Sequence, residues 1–157
     1  MRIKTTFLKF ALAGVSVFIL FLGLILTFGW LHSYFVQELS AEKMVMYFSL
    51  YSTAGLALVI IGFVYRLLRL IDRNEPFSEQ ALQLVGAIKK MIFAIFVVLW
   101  GVLPMVYQVA AAENAPGVMV IGLGIVVIPL VLGIFVATIE KLLASVIQLK
   151  TENDLTV

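Results

Sequence analysis

The 157-residue chain contains no cysteine and a single histidine, His32. Disulfides, thiolate chemistry and cysteine-ligated metal sites are therefore excluded, and one histidine is too few for a histidine-rich metal cluster. Charged residues make up 13% of the chain, so acid–base chemistry has few groups to use. No catalytic, metal-binding or nucleotide-binding motif is present, and we expect no enzymatic activity, no metal and no cofactor.

The chain is instead dominated by apolar residues, which make up 63% of it. Four long runs carry no charge and cover residues 10–31, 44–65, 91–112 and 114–139. A helix of about 22 residues reaches ~33 Å, enough to cross a hydrocarbon core about 30 Å thick. We therefore predict an all-α, four-transmembrane-helix bundle as a single domain, with the last span at about 116–139.

The residues between the second and third runs, 66–90, are called the elbow below. Pro76 cannot continue a helix and disfavours helical geometry at the residue before it, which predicts a break near residues 74–76. Ser78 is a good N-cap for a fresh amphipathic helix. Pro104 predicts a kink within the third span.

The distribution of Lys and Arg predicts the orientation in the membrane. Three precede the first run, five lie in the elbow and two lie in the tail, residues 140–157. The other two connectors together carry one. Ten against one is a strong positive-inside bias, so we expect a multi-pass plasma-membrane protein with a cytoplasmic elbow and cytoplasmic N- and C-termini. The basic residues, in the same order, are Arg2, Lys4 and Lys9; Arg66, Arg69, Arg73, Lys89 and Lys90; Lys141 and Lys150; and Lys43.

The basic residues of the elbow are predicted to contact the anionic headgroups of the lipid bilayer. A nucleic-acid stripe is the alternative, but Asp72, Glu75 and Glu79 interleave with the arginines. This pattern favours local ion pairs, and we expect no direct binding of nucleic acid. The candidate headgroup contacts are Arg66, Arg69, Arg73, Lys89 and Lys90.

None of the four runs contains Asp, Glu, Lys, Arg or His, whereas coupled transporters usually keep such a residue at membrane depth. A small transporter, channel or immunity-type protein for a peptide or lipid-like compound remains the alternative function. A polar cavity lined by Ser49, Ser52, Thr53 and Gln108 would favour it.

Small residues in the second span predict a close helix contact. Gly55 and Gly62 lie seven apart, on one face, and would let another helix approach. That helix could belong to the same chain or to a second copy, so a homo-oligomer stays open.

Two strings, taken together, resemble a known bacterial family. They are RLIDRNEPFS, residues 69–78 of the elbow, and KTENDLTV, residues 150–157 at the end of the chain. With four spans and this length, the chain resembles the family catalogued as domain of unknown function 2975. The resemblance implies a plasma-membrane protein with no established enzymatic activity, often the companion of a small helix-turn-helix regulator encoded next door.

We therefore interpret the chain as a non-enzymatic regulatory or sensing element that docks a cytoplasmic regulatory protein through its elbow and tail. A helix-turn-helix transcription regulator is the expected partner. From Glu140 a juxtamembrane helix should continue and end near residues 150–154. The candidate docking residues are Arg69, Asp72, Arg73, Pro76 and Phe77 in the elbow, and Glu152, Asn153, Asp154, Leu155 and Val157 in the tail.

Overall fold

The structure is a computed structural model that describes residues 5–156, and all regular elements in that range are helical. Four segments are long and apolar enough to cross a membrane, the third being interrupted by a short 3₁₀ turn. This confirms the predicted all-α class with four candidate spans. The elements are α1 (Thr6–Phe35), α2 (Ala41–Asp72), α3 (Glu79–Leu99), the 3₁₀ turn (Trp100–Val102), α4 (Leu103–Ala112) and α5 (Pro116–Leu155).

The helices pack around α3, which lies between α2 and α5, while α4 lies against α5 and α1 packs on α2. A small apolar core forms where Leu99, Leu103 and Val126 meet. In contrast, α1, which is described over its whole length, has no buried residue. Most large apolar side chains therefore point outward, as expected when lipid rather than the protein interior is their solvent.

All three connectors between the spans begin with the same backbone motif. Gln37, Asn74 and Asn114 follow the ends of α1, α2 and α4, with φ of 56°, 59° and 49°. In each case the next residue donates its N–H back across the last helical turn, the pattern of a Schellman motif. The donor–acceptor pairs are Glu38 to Ser33 (3.1 Å), Glu75 to Leu70 (3.0 Å) and Ala115 to Ala110 (2.9 Å).

The break predicted near residues 74–76 is confirmed, because α2 ends at Asp72 and α3 begins at Glu79. The predicted cap of α3 is also confirmed. The Ser78 hydroxyl oxygen accepts the Ala81 N–H at 3.2 Å and satisfies one of the free donors of the first turn.

The interruption predicted at Pro104 lies three residues upstream, in the 3₁₀ turn. Gly101 lets this turn approach α2 closely, since a Cβ there would lie 3.1 Å from Ser49 Cβ. The Ser49 hydroxyl, 3% exposed, donates to the Val98 carbonyl at 2.6 Å. Ser49 therefore joins α2 to α3 instead of facing a polar cavity.

The close helix contact predicted at Gly55 and Gly62 is wrong within this chain. A Cβ at either position would meet no described atom within 4 Å. Close packing occurs instead on α5, where a Cβ at Gly122 would lie 2.7 Å from Val106 Cγ1. Glycine content alone does not reveal how each helix is rotated, and rotation decides which glycines face a neighbour.

The end predicted for the last helix is also wrong, because α5 continues without a break to Leu155. Residues 140–155 contain no glycine or proline that would stop a helix. The Gln148 side-chain amide donates to Glu152 Oε1 at 3.2 Å, a stabilising contact between residues four apart. At about 1.5 Å per residue, this extension carries the helix ~24 Å past Ile139.

The beginning of α1 and the elbow lie at one end of the bundle, called the elbow end below. Thr5 and Lys9 both donate hydrogen bonds to the Asp72 carboxylate. The last turns of α5 lie at the same end, since Lys150 approaches the elbow. Arg2 and Lys4 lie outside the described residues.

Candidate functional site

A cleft at the elbow end brings together two distant parts of the sequence. It has a volume of about 450 Å³ and is bordered by the elbow on one side and by Lys150 of α5 on the other. The two strings singled out in the sequence, residues 69–78 and 150–157, thus contribute to one site. The elbow residues that line it are Ile71, Asn74, Glu75, Pro76, Phe77 and Ser78.

The backbone of the elbow is fixed by local interactions. Asn74 supplies the positive φ that ends α2, a conformation that asparagine tolerates better than most residues. Pro76 lacks an N–H, and Ser78 caps α3. Between these two, Phe77 is left 48% exposed beside the cleft. A short loop held at both ends thus presents an aromatic ring to solvent.

Just before Lys150 in the sequence, the outer face of α5 carries an apolar stripe. Leu142, Val146 and Leu149 lie at i, i+4 and i+7 and are 63%, 39% and 65% exposed. Since α5 is helical to Leu155, these side chains share one face. Lys150 and Glu152 lie on the two flanks of that face. An exposed apolar face with charged edges is typical of a helix that packs against a partner.

The predicted docking residues do not form one surface. Pro76 and Phe77 line the cleft, whereas Arg69 and Arg73 line a different cleft, between α2 and α3. Asp72 faces the start of α1. Val157 lies outside the described residues. Exposed residues of the final turn of α5 complete the set: Glu152, Asn153, Asp154 and Leu155.

The ion pairs predicted within the elbow are wrong for Asp72. Its carboxylate pairs with Lys9 and also accepts the Thr5 hydroxyl hydrogen bond. The hydrogen bond from Lys9, followed by that from Thr5, holds the pKa of Asp72 below its usual value. The carboxylate is therefore ionised at neutral pH and holds α1 to α2.

The five predicted headgroup contacts fall into three groups. Arg66 joins Arg69 and Arg73 in the cleft between α2 and α3, and Lys90 is exposed. Lys89 instead forms an ion pair with Glu140 of α5. Sequence reasoning missed this pair, because the two residues are 51 positions apart and lie on separate helices.

Comparison with known proteins shows which family the chain belongs to. The model of the family described as Protein of unknown function (DUF2975) matches residues 33–157. The chain belongs to the DUF2975 family. It is also 32% identical to the uncharacterized membrane protein YoaS of Bacillus subtilis (strain 168), with 99% of each chain covered. No solved structure matches it.

The DUF2975 match includes the cleft between the elbow and Lys150 and the apolar stripe of α5. It begins within the last turn of α1, so most of that helix lies outside the match. The similarity to YoaS includes α1, so the first span is shared with that relative. The family match confirms the expected family, and the similarity to YoaS agrees with the membrane character of the chain. Within residues 5–156, no group of three or more His, Cys, Asp or Glu side chains is placed to hold a metal ion.

Proposed function

We propose that this DUF2975 protein is a non-enzymatic regulatory or sensing element of the plasma membrane that docks a cytoplasmic protein at its elbow end. One observation carries the proposal. The elbow and α5 meet in one cleft at Lys150, and the part of α5 just before Lys150 carries an exposed apolar stripe. The partner that best suits this surface is a small helical protein, and a helix-turn-helix transcription regulator is the one we propose.

The charge distribution supports a cytoplasmic elbow end. Ten of the 11 Lys and Arg residues lie in the N-terminal segment, the elbow and the tail. Two of these three regions are in contact in the structure, through Lys9 and Asp72, and the tail reaches the elbow at Lys150. Because basic residues are retained on the cytoplasmic side, this end would face cytoplasmic proteins.

The distance of the stripe from the membrane supports a protein partner rather than lipid. Val146 and Leu149 lie seven and ten residues past Ile139, the last residue of the fourth apolar run. In a straight helix this places them roughly 10 and 15 Å past that residue. An apolar face at that height is away from the hydrocarbon core, so burial against another helix is what would remove it from water.

The proposal is tested by crosslinking in intact cells, purification in mild detergent and mass-spectrometric identification of what is recovered. Leu149→Asp places a charge in the apolar stripe. Thr151→Asp is the matched control, because it adds the same charge two residues later on the opposite side of the helix. A chain ending at Lys150 removes residues 151–157, the last part of the tail, and keeps the apolar stripe.

We expect a DNA-binding protein to be recovered with the full chain and with Thr151→Asp. Recovery should fall at least about tenfold with Leu149→Asp, since burying a leucine contributes ~1.5–3 kcal/mol. Recovery of the DNA-binding protein should also be lost with the chain that ends at Lys150. The proposal is contradicted if the two aspartate variants behave alike, or if no soluble protein or only a second copy of this chain is crosslinked.

A further inference from the structure

A second cleft at the elbow end lies between α2 and α3 and has a volume of about 510 Å³. Each helix contributes one stripe of side chains. On α2 and the residue that caps its end, the polar residues are Arg66, Arg69 and Arg73, at i, i+3 and i+7. On α3, Gln80 and Gln83 face them. The apolar residues Phe63, Leu70, Leu84 and Ala87 complete the lining.

The polar part of this cleft is positive, and no carboxylate lines it. Within residues 5–156, none of the three arginines forms a salt bridge. The carboxylate of Asp72, next to Arg73 in the sequence, is already paired with Lys9. Three guanidinium groups thus remain without an anionic partner in the described part of the chain.

The side chains of the cleft are suited to a phosphate group. A guanidinium can donate two parallel hydrogen bonds to phosphate oxygens, and such charge-assisted pairs are stronger than neutral ones. The glutamine amides add neutral donors. The Arg69 guanidinium lies 5.8 Å from the centre of the Tyr65 ring, which limits its conformations.

The cleft is also placed at the depth of a lipid headgroup. Arg66 is the first charged residue after the apolar run 44–65, whereas Phe63 belongs to that run. From Arg66 to Arg73 the helix rises about 10 Å, comparable with the headgroup layer of ~5–8 Å per leaflet. Phosphate oxygens beside the arginines would leave the acyl chains beside Phe63.

We propose that the cleft between α2 and α3 binds one anionic phospholipid, with its phosphodiester held by Arg66, Arg69 and Arg73 and its acyl chains against the apolar lining. The site is specific, in contrast to the general attraction of any basic residue to an anionic membrane surface. It does not depend on the proposed docking function, because it uses other side chains and requires no protein partner.

The test is native mass spectrometry of the full chain, purified in detergent and titrated with phosphatidylglycerol or phosphatidylcholine. We expect one saturable phosphatidylglycerol per chain, retained at least about tenfold better than phosphatidylcholine, as charge-assisted hydrogen bonds would give. Far-ultraviolet circular dichroism of each variant checks that the helices are intact.

Three variants distinguish specific binding by the arginines from general electrostatic attraction of the lipid. Arg66→Gln with Arg69→Gln should abolish the preference. Arg66→Lys with Arg69→Lys keeps the charge, and with it the orientation in the membrane, but loses the bidentate geometry, so the preference should fall roughly three- to tenfold. Lys90→Gln is the matched control, because it removes one exposed charge at the same end of the bundle and outside the cleft.

The proposal is overturned if the lysine variant retains the full preference, since charge alone would then suffice. It is equally overturned if Lys90→Gln loses as much as the double glutamine variant. A competition experiment with inorganic phosphate distinguishes a bound phospholipid from a bound free anion. The phosphate should not displace the lipid, and displacement at millimolar concentration would make a free anion, rather than a phospholipid, the occupant.

Discussion

At the scale of single residues, one of the closest contacts occurs where α5 passes α3. Gly133 is buried, and a Cβ built there would lie 2.9 Å from Phe93 Cε1, closer than real Cβ atoms approach a neighbour. Gly124 lies on the same helix, but a Cβ there would meet no described atom within 4 Å. The two glycines therefore have different roles although their sequence surroundings are similarly apolar.

We expect Gly133→Ala to destabilise the protein by about 1–3 kcal/mol, because the new methyl group forces Phe93 or the helix to move. Gly124→Ala should not destabilise the protein and should raise the free energy of unfolding by up to about 1 kcal/mol, because alanine favours the helix more than glycine does. Denaturant titrations of both variants in the same detergent measure the difference. Equal effects would show that α5 does not pack on Phe93 as described.

At the scale of helices, α1 is the least embedded element. Toward the end of the bundle opposite the elbow, the Thr27 and Tyr51 hydroxyls lie 2.8 Å apart and join α1 to α2. At the elbow end, Asp72 holds Thr5 and Lys9. Polar contacts at two heights therefore fix the position of α1 on α2, since the helix itself contributes no buried residue.

We predict that Asp72→Asn loosens the start of α1 and leaves the other helices in place. Spin labels at Leu8 and Glu75, both exposed, should report a broader distance distribution. Asp154→Asn, at the exposed end of α5, is the control and should change nothing. An unchanged distribution in Asp72→Asn would show that the carboxylate does not hold α1.

The same contact has a defined pH dependence. Because the pKa of Asp72 is lowered in the folded protein, its contribution to stability is complete above the ordinary aspartate pKa of ~3.9 and is lost as pH falls through the folded value. The spin-label distance should therefore stay constant from about pH 8 to pH 5 and broaden only under strong acid.

At the scale of the whole molecule, the absence of cysteine allows a clean test of orientation. Single cysteines at Glu38 and Glu75 are exposed at opposite ends of the bundle. In right-side-out membrane vesicles, a membrane-impermeant maleimide should label the cysteine at 38 at once and the one at 75 after permeabilisation. The reverse order would place the elbow end outside the cell.

Much of this architecture was predictable from the sequence, because the responsible interactions are local. Uncharged runs define the spans, and Pro76 and Ser78 define the break in the elbow. Contacts between helices were not predictable in the same way. The pairs Lys9–Asp72 and Lys89–Glu140 depend on how whole helices are arranged, and so does the grouping of the elbow residues into two separate clefts.

The unbroken course of α5 makes it a lever. One end lies in the apolar part of the bundle, and the other projects ~24 Å past Ile139. The interior proline of this helix, Pro129, lies in the apolar part, so no proline interrupts the projecting part. If the part of α5 that packs on α3 and α4 tilts by about 10°, the C-terminal end of α5 moves by roughly 4 Å, close to the height of one helical turn. A change in bilayer thickness or lipid composition would thereby become a displacement of Leu149 and the residues after it.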